Sequence, residues 1–594
     1  MAFPAERYNL DEVLALLDDE FDIPNDGIDS EFDSEEEMAD EELEIENQMD
    51  NHLENSEDDV PAPDIGVSQS DDVQPPRRKG RKPVQHDFLN SKWSNKAHDT
   101  PGEKFTQSVG PATVMSPQKS AIDFFLLLFS NLIMANIVKE SNRYAMQSLQ
   151  AQGKDPSEWT AKQITLAEIK AWLGLVMAMS IHKLPAIFDY WKDDWILGVP
   201  AFARIMSRNR FQEILRYLHV NNNENMLARE NENYDKLFKI RPLIESLKIN
   251  FQIHYNPHCE QSIDEAMVKY KGRTSLKQYM PLKPIKRGIK IWCQADSHAG
   301  YLCDFEVYSG KRKDGIENGL AYTVVTNLCK SIYGKWHKIF FDNFFTSYQL
   351  IEELYMNKTL SCGTVRAGRK NFPAEIFGKD TTKKMNRGEL EWRSKGPVSV
   401  VTWIDKKPVH VAGTVTKTPG PEEQTTVKRR RKDGEQEDIP CPEIIKEYNQ
   451  FMGGVDLNDQ LKSYYSINLF TKKWWTRLFF DLVDRAVVNS YLLEKESTNH
   501  KKRPLKFFKV SLAKELVGDF TSKKTGGRPS LDNQAKFTER HFPDLMPMKE
   551  SGSRSQRRCV VCSKESRKKL SSYFCRDCDV GLCPAPCFRD YHSR

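Results

Sequence analysis

The chain has 594 residues, 39% hydrophobic and 29% charged, enough for several domains and a sizeable core. Its net charge of +3 conceals an asymmetry: Met1–Val60 holds 24 carboxylates and one basic residue, Arg7, for −23, which leaves +26 on the rest. An acidic tail on a basic body points to a polyanionic partner, most simply nucleic acid. No secretory signal is expected, because Met1–Asp22 holds several carboxylates and no basic n-region. No membrane or small-molecule partner is expected either. The most apolar run, Ile122–Val138, is interrupted by Asp123, Asn131 and Asn136 and reads as core.

Residues 1–118 are acidic, then rich in Pro, Ser and Lys, and read as disordered. Within them Pro75–Lys82, PPRRKGRK, is a basic cluster of nuclear-import type, so a nuclear location is expected. Residues 119–258 repeat apolar positions at helical spacing, as in Ile169–Met179, Phe211–Leu218 and Lys236–Leu247, and read as a helical dimerisation and DNA-binding domain. Arg208, Arg210 and Arg216 lie on or beside one such helix, a plausible phosphate-contacting surface.

From Cys259 the texture turns to strands. Gln261–Tyr270, Gly288–Asp296 and Tyr301–Tyr308 are short β-rich runs, followed by a helix over Gly319–Tyr333. A strand ending at Asp342, a helix over Tyr348–Met356 and a strand over Thr359–Val365 complete residues 259–370. The order βββαβαβ is that of an α/β, ribonuclease-H-like core. Residues 371–440, polar and irregular, read as an insertion carrying KRRRK (Lys428–Lys432) and possible strands at Pro397–Ile404 and Val409–Val415. The last core helix falls in 441–460, with Glu443–Tyr465 helical past Gly453-Gly454. Residues 461–540 resume the helical domain. There Lys472–Leu493 predicts an amphipathic helix led by Lys472, Lys473, Trp474 and Trp475, the tryptophans read as core anchors. Residues 541–558 read as a linker and 559–594 as a cysteine-rich module.

Three carboxylates stand out. Asp264 lies in the first predicted strand, Asp342 ends the fourth, and Asp456 begins a helix with Asp459 one turn on. In a ribonuclease-H-like fold the first strand, the end of the fourth strand and the helix after the fifth converge. Two Mg²⁺ (or Mn²⁺) ions roughly 3.5–4 Å apart clamp the attacking and leaving oxygens of a phosphodiester displacement, and such hard ions take carboxylate oxygens.

Several stretches together carry a resemblance to a known family: MSRNRFQEILRYLHVNNN (Met206–Asn223), KLFKIRPLIESL (Lys236–Leu247), SIDEAMVKYKGR (Ser262–Arg273), QYMPLKPIKRGIKIW (Gln278–Trp292), FFDNFFTS (Phe340–Ser347), CGTVR (Cys362–Arg366) and YNQFMGGVDLNDQL (Tyr448–Leu461). The chain resembles piggyBac-family DNA transposases over almost its full length. The resemblance implies cut-and-paste transposition by a DDD-type enzyme at transposon terminal inverted repeats, hairpin intermediates and insertion at TTAA targets. Such chemistry needs two ends held together, so a homodimer through the helical segments is expected. The resemblance makes Asp264, Asp342 and Asp456 the catalytic, metal-binding triad and Asp459 a supporting carboxylate. Water would attack first and the freed 3′-hydroxyl next, with no protein nucleophile. Arg208, Arg210, Arg273, Lys286, Arg287, Lys472, Lys473, Lys568 and Lys569 become candidates for contacting double-stranded DNA. The alternative is a domesticated, catalytically silent relative that binds DNA or chromatin.

Of 12 cysteines, six are scattered between Cys259 and Cys441 and six are packed between Cys559 and Cys587. This is no secreted disulfide framework, and it points to an intracellular protein with a terminal metal site. Cys559-x2-Cys562, Cys575-x2-Cys578, Cys583, Cys587 and His592 supply seven zinc ligands. Two interleaved Zn²⁺ ions are expected, with the eighth ligand missing from the motif. The family resemblance assigns this module to DNA binding, and a chromatin-peptide reader is the rival.

Overall fold

A computed structural model describes residues 92–96, 104–281, 283, 285–310, 319–416, 425–430, 435–497, 502–521, 541–549 and 551–592. The acidic tail, the PPRRKGRK cluster and part of KRRRK lie outside the described residues. Two compact units emerge. The first runs to Phe520 apart from Arg204–Met206, and the second holds those three residues and the chain from Thr521.

The helical part of the first unit contains α1 (Ala121–Leu128), α2 (Asn131–Ala151), α3 (Leu166–Ile181), α4 (Arg208–Tyr217) and α5 (Arg241–His254). Serine or threonine caps three of them: Ser130, Thr165 and Ser207 each accept a backbone N–H from the first turn. The long apolar run folds as α1 and α2, bent by 67°, and among the described residues no single helix is long and apolar enough to cross a membrane.

The strands are β1 (Glu260–Lys269), β2 (Lys277–Tyr279), β3 (Arg287–Asp296), β4 (Leu302–Val307), β5 (Lys338–Phe341), β6 (Leu360–Thr364), β7 (Leu390–Lys395), β8 (Val398–Ile404) and β9 (Pro408–Gly413). They form one nine-stranded sheet. From β4 the order runs β3, β1, β5, β6, β9, β8, β7, with β2 beside β4 on the same edge of β3. β1–β5 and β5–β6 are parallel, and every other pair is antiparallel. Residues read as an insertion therefore carry the same sheet onward through β9, β8 and β7. A hairpin of β10 (Thr425–Arg430) and β11 (Gln436–Cys441) follows.

Alternation along β5 splits the core. Ile339 and Phe341 face α6 (Leu320–Cys329) and α7 (Tyr348–Met356) through Val324, Leu328, Ile351 and Leu354. Phe340 faces the other side with Cys362, Val401, Trp403 and the α8 (Glu443–Phe451) residues Ile444 and Ile445. The expected continuous helix past Gly453 is two helices, α8 and α9 (Gly454–Tyr464). α10 (Trp474–Glu496) is buried almost all round rather than on one face. It packs against α1, α9 and β1, and against α11 (Leu505–Val517), which in turn packs on α1 and α3. Its charged residues are paired inside: Asp484 with Lys509 at 2.9 Å and Glu494 with Arg503 at 2.6 Å.

Part of the region read as disordered is placed. Ser94 bridges Ser394 on the outer strand β7, covering a sheet edge that would otherwise stay open. Trp93 packs on Tyr348 and Phe372, and Phe105 on His337. These aromatics supply the apolar burial that the surrounding composition lacks.

Candidate functional site

Register builds the site. In the parallel β1–β5 pair Ile263 lies beside Phe341, so the next residues, Asp264 within β1 and Asp342 just past the end of β5, stand side by side. Asp264 is 9% exposed. One of its oxygens accepts the Glu265 N–H at 2.8 Å. Burial, aided by the negative charges of Glu265 and Asp342, pushes its carboxyl up to about 7 against the pull of Lys283. Burial and then the Glu265 charge also raise Asp342, although the Phe344 and Phe345 N–H groups and Lys283 oppose them.

The loop after β5 is braced. Asp342 accepts the Phe344 N–H at 2.9 Å, and its carbonyl accepts the buried Thr346 hydroxyl at 2.8 Å. Arg369 donates to the Phe344 and Thr346 carbonyls, and Arg366 donates to Asn343 at 2.7 Å. Gly363, opposite Phe341, is required here, since a Cβ would collide with Thr346 and the Phe341 ring.

Asp456 arrives on the N-terminus of α9. The Val455 N–H donates to the Ser262 hydroxyl at 3.1 Å, two residues before Asp264. A Cβ on Gly454 would stand 2.7 Å from that hydroxyl and 2.9 Å from the Asp296 carbonyl, so glycine sets how closely α9 approaches β1. Asp456 is exposed, and its charge acts on Lys283 together with those of Asp264 and Glu265. Asp459 is bound differently: it pairs with Lys462 at 3.1 Å and with the fully buried Arg485 at 3.3 Å. Arg485 also holds Asp481 at 2.7 Å and Asn458 at 3.3 Å. Asp459 thus helps anchor α9 on α10, a positioning placement that suits a supporting carboxylate.

The structure brings Asp264, Asp342 and Asp456 to one end of the sheet and adds two residues that the sequence reading missed. Lys283 reaches Asp264 at 3.6 Å and Glu265 at 3.4 Å. The motif contained Lys283, but nothing local signalled that its turn folds back over β1. Three buried or half-buried carboxylates beside an exposed one are oxygen donors of the kind hard divalent cations take.

The candidate DNA contacts divide. Arg208, Arg273, Lys286 and Lys472 are exposed in the first unit. Arg210 is a correction: its guanidinium donates to Glu168, Glu213 and the Lys162 carbonyl, so its donors are taken up inside the chain. Lys473 donates to the Arg216 carbonyl at 2.8 Å, and Arg287 lies over the Tyr279 ring.

In the C-terminal module two groups of four donors each lie within 4.8 Å: His541, Cys575, Cys578 and His592, and Cys559, Cys562, Cys583 and Cys587. In chain order the ligands alternate between the groups in an interleaved cross-brace. His541 supplies the eighth donor, and the residues read as a linker from 541 belong to the module. Pro543–Leu545 pairs with Tyr573–Cys575 and carries His541 to the first group. The donor types fit zinc, and His592 Nδ1 lies 2.8 Å from the Phe588 carbonyl, which turns Nε2 inward. His541 is the only histidine between His500 and His592, a signal that counting to eight ligands could have used. Lys564, Arg567, Lys568 and Lys569 are exposed on this module.

Residues 120–491 match the family model described as Transposase IS4, and residues 538–593 match a DDE_Tnp_1-like zinc finger. The chain is 27% identical over 450 residues to the human PiggyBac transposable element-derived protein 5, covering 73% of this chain and 82% of that protein. It is 28% identical over 497 residues to the human PiggyBac transposable element-derived protein 3, covering 81% and 77%. A cryo-EM structure of the piggyBac transposase synaptic complex with hairpin DNA shares the fold with a TM-score of 0.62 at 22% identity, covering 81% of this chain and 100% of that one. With a family model spanning most of the first unit and a second on the cysteine-rich end, the chain belongs to the piggyBac family of transposases.

Proposed function

We propose that the chain is a cut-and-paste DNA transposase with a ribonuclease-H-like catalytic core, in which Asp264, Asp342 and Asp456 hold two divalent metal ions. The observation that carries this reading is the convergence of the three carboxylates. A parallel strand register sets two of them side by side, and a glycine-tight helix N-terminus brings the third. The strand order β4-β3-β1-β5-β6, with three antiparallel strands and two parallel ones, supports the fold assignment.

When bound, the metal ions supply Lewis-acid stabilisation of the phosphate and an activated attacking oxygen. The residues of the chain do the rest. Asp264 presents its oxygens from within β1 and Asp342 from just past the end of β5, Asp456 closes the site from α9, and Arg366 and Arg369 hold the loop that carries Asp342. The exposed Arg208, Arg273, Lys286, Lys472, Lys568 and Lys569 meet DNA phosphates. The same reading includes terminal inverted repeats as substrate, TTAA as target, two copies holding two ends, and a nuclear place of action.

The test is Mg²⁺-dependent nicking of duplex DNA bearing the repeats that flank the gene. Cleavage at the repeat boundary is expected. Asp342→Asn should lower it by roughly a thousandfold, the scale of several kcal/mol of transition-state stabilisation, with DNA affinity unchanged. Human relatives named as transposable element-derived proteins favour a second reading, a DNA-binding protein without the chemistry. Tight binding by the unaltered chain with no cleavage would establish that one instead.

A further inference from the structure

Beyond Ile263–Phe341 the edge of β1 that faced β5 has no strand beside it among the described residues. The Cys259 carbonyl points to that edge, since it accepts the Lys338 N–H at 2.8 Å. Carbonyls two residues apart on a strand share a side, so those of Gln261, Ile263 and Glu265 point there too. At Glu265 the group that meets the carbonyl is Lys283, whose Nζ donates to it at 3.3 Å. Lys283 comes from the turn between β2 and β3, where its N–H donates to the Met280 carbonyl at 3.1 Å.

Lying along the strand edge explains a contact that alternation would otherwise forbid. Asp264 and Glu265 project to opposite faces of β1, yet one ammonium stands 3.6 Å from Asp264 and 3.4 Å from Glu265. Lys283 is 28% exposed at its side chain, and Asp264 and Glu265 are 13% and 11% exposed, so the charges meet with little intervening water.

We propose that Lys283 is a resident counter-cation of Asp264 that competes with divalent metal, so that the site loads only as the lysine is displaced toward Glu265. This rests on the carboxylate reading above and adds a regulator to it. A metal ion on Asp264 and an ammonium at 3.6 Å repel each other, and the retained bonds to Glu265 give the lysine a place to go. Glu265 is the tether, and Asp264 is the contested ligand. The residue raises the metal concentration at which the triad fills.

The test is Mn²⁺ binding to the full-length, zinc-loaded protein without DNA, read by calorimetry or by the electron spin resonance of free Mn²⁺. Lys283→Met should bind Mn²⁺ about tenfold more tightly than the unaltered chain, the scale of one charge interaction at a partly exposed site. Lys283→Arg, which keeps the charge, should stay within about twofold. Asp342→Asn identifies the heat that belongs to the triad. A residue of merely structural importance would weaken binding when replaced. Equal affinity in the unaltered chain and Lys283→Met, or looser binding in Lys283→Met with a normal melting profile, overturns the competition and leaves the carboxylate site standing. Absence of any Asp342-dependent Mn²⁺ binding in the unaltered chain overturns both.

Discussion

The zinc-finger module and the carboxylate site proposed to take metal are built on opposite logics. In the C-terminal module the ligands are the core: six cysteines with Leu582 and Phe588 make up its buried cluster. So short a segment buries too little apolar surface to fold unaided, and coordination must supply the difference. At the carboxylate site the scaffold comes first. Asp264 and Asp342 are placed by a nine-stranded sheet whose apolar faces are filled whether or not a cation is bound. In one region the fold depends on its ligand cluster, and in the other the carboxylates depend on a fold that stands without them.

The largest effect that separates them is zinc removal. Structural zinc contributes about 10–16 kcal/mol in small domains. Chelation should therefore abolish protection of residues 541–592 in hydrogen exchange while the melting of the first unit stays within about 1 °C. Elemental analysis should find two zinc ions per chain and one in His541→Ala. Simultaneous melting of both regions on chelation would erase the contrast.

Next in size is Arg485→Met. The guanidinium is fully buried and holds Asp459 and Asp481, so its loss strands carboxylates and should cost about 3–5 kcal/mol of stability in the first unit. Denaturant titration measures it. A change below about 1 kcal/mol would mean that Lys462, also paired with Asp459 and Asp481, is enough to hold α9.

The contrast also explains what was legible in the sequence. The aspartates were, because an apolar run ending in Asp342 and an alternating strand through Asp264 are local patterns, and the elements around them appear within a residue or two of where the pattern put them. The cysteine knuckles were legible for the same reason. Relations between distant segments were not. His541 reaches its group only through a strand pairing with Tyr573–Cys575. Arg210 reads as an exposed cation until Glu168 arrives from another helix. The strands after residue 389 join the main sheet because β9 pairs with β6, which no local pattern announces. Gly453-Gly454 was visible, but only the proximity of Ser262 shows that α8 must end so that α9 can dock.

The smallest effect is a pH dependence that the zinc module does not share. In the folded chain burial holds the Asp264 carboxyl up to about 7, whereas the unfolded chain releases its proton near the ordinary value of 3.8. Between those values the native state binds more protons, so stability falls as pH rises, and the cost is complete above about pH 7. Replacement by Asn carries no such penalty. The melting temperature of Asp264→Asn should therefore gain on that of the unaltered chain between pH 4 and pH 8, by about 1 °C for each kcal/mol involved in a unit of this size. Divalent metal should shrink the gap at the alkaline end, because it binds only the charged carboxylate and so offsets the repulsion from Glu265 and Asp342. Parallel melting curves across that range would mean that Lys283 already neutralises the site in the folded chain, and that the scaffold holds Asp264 charged at no cost.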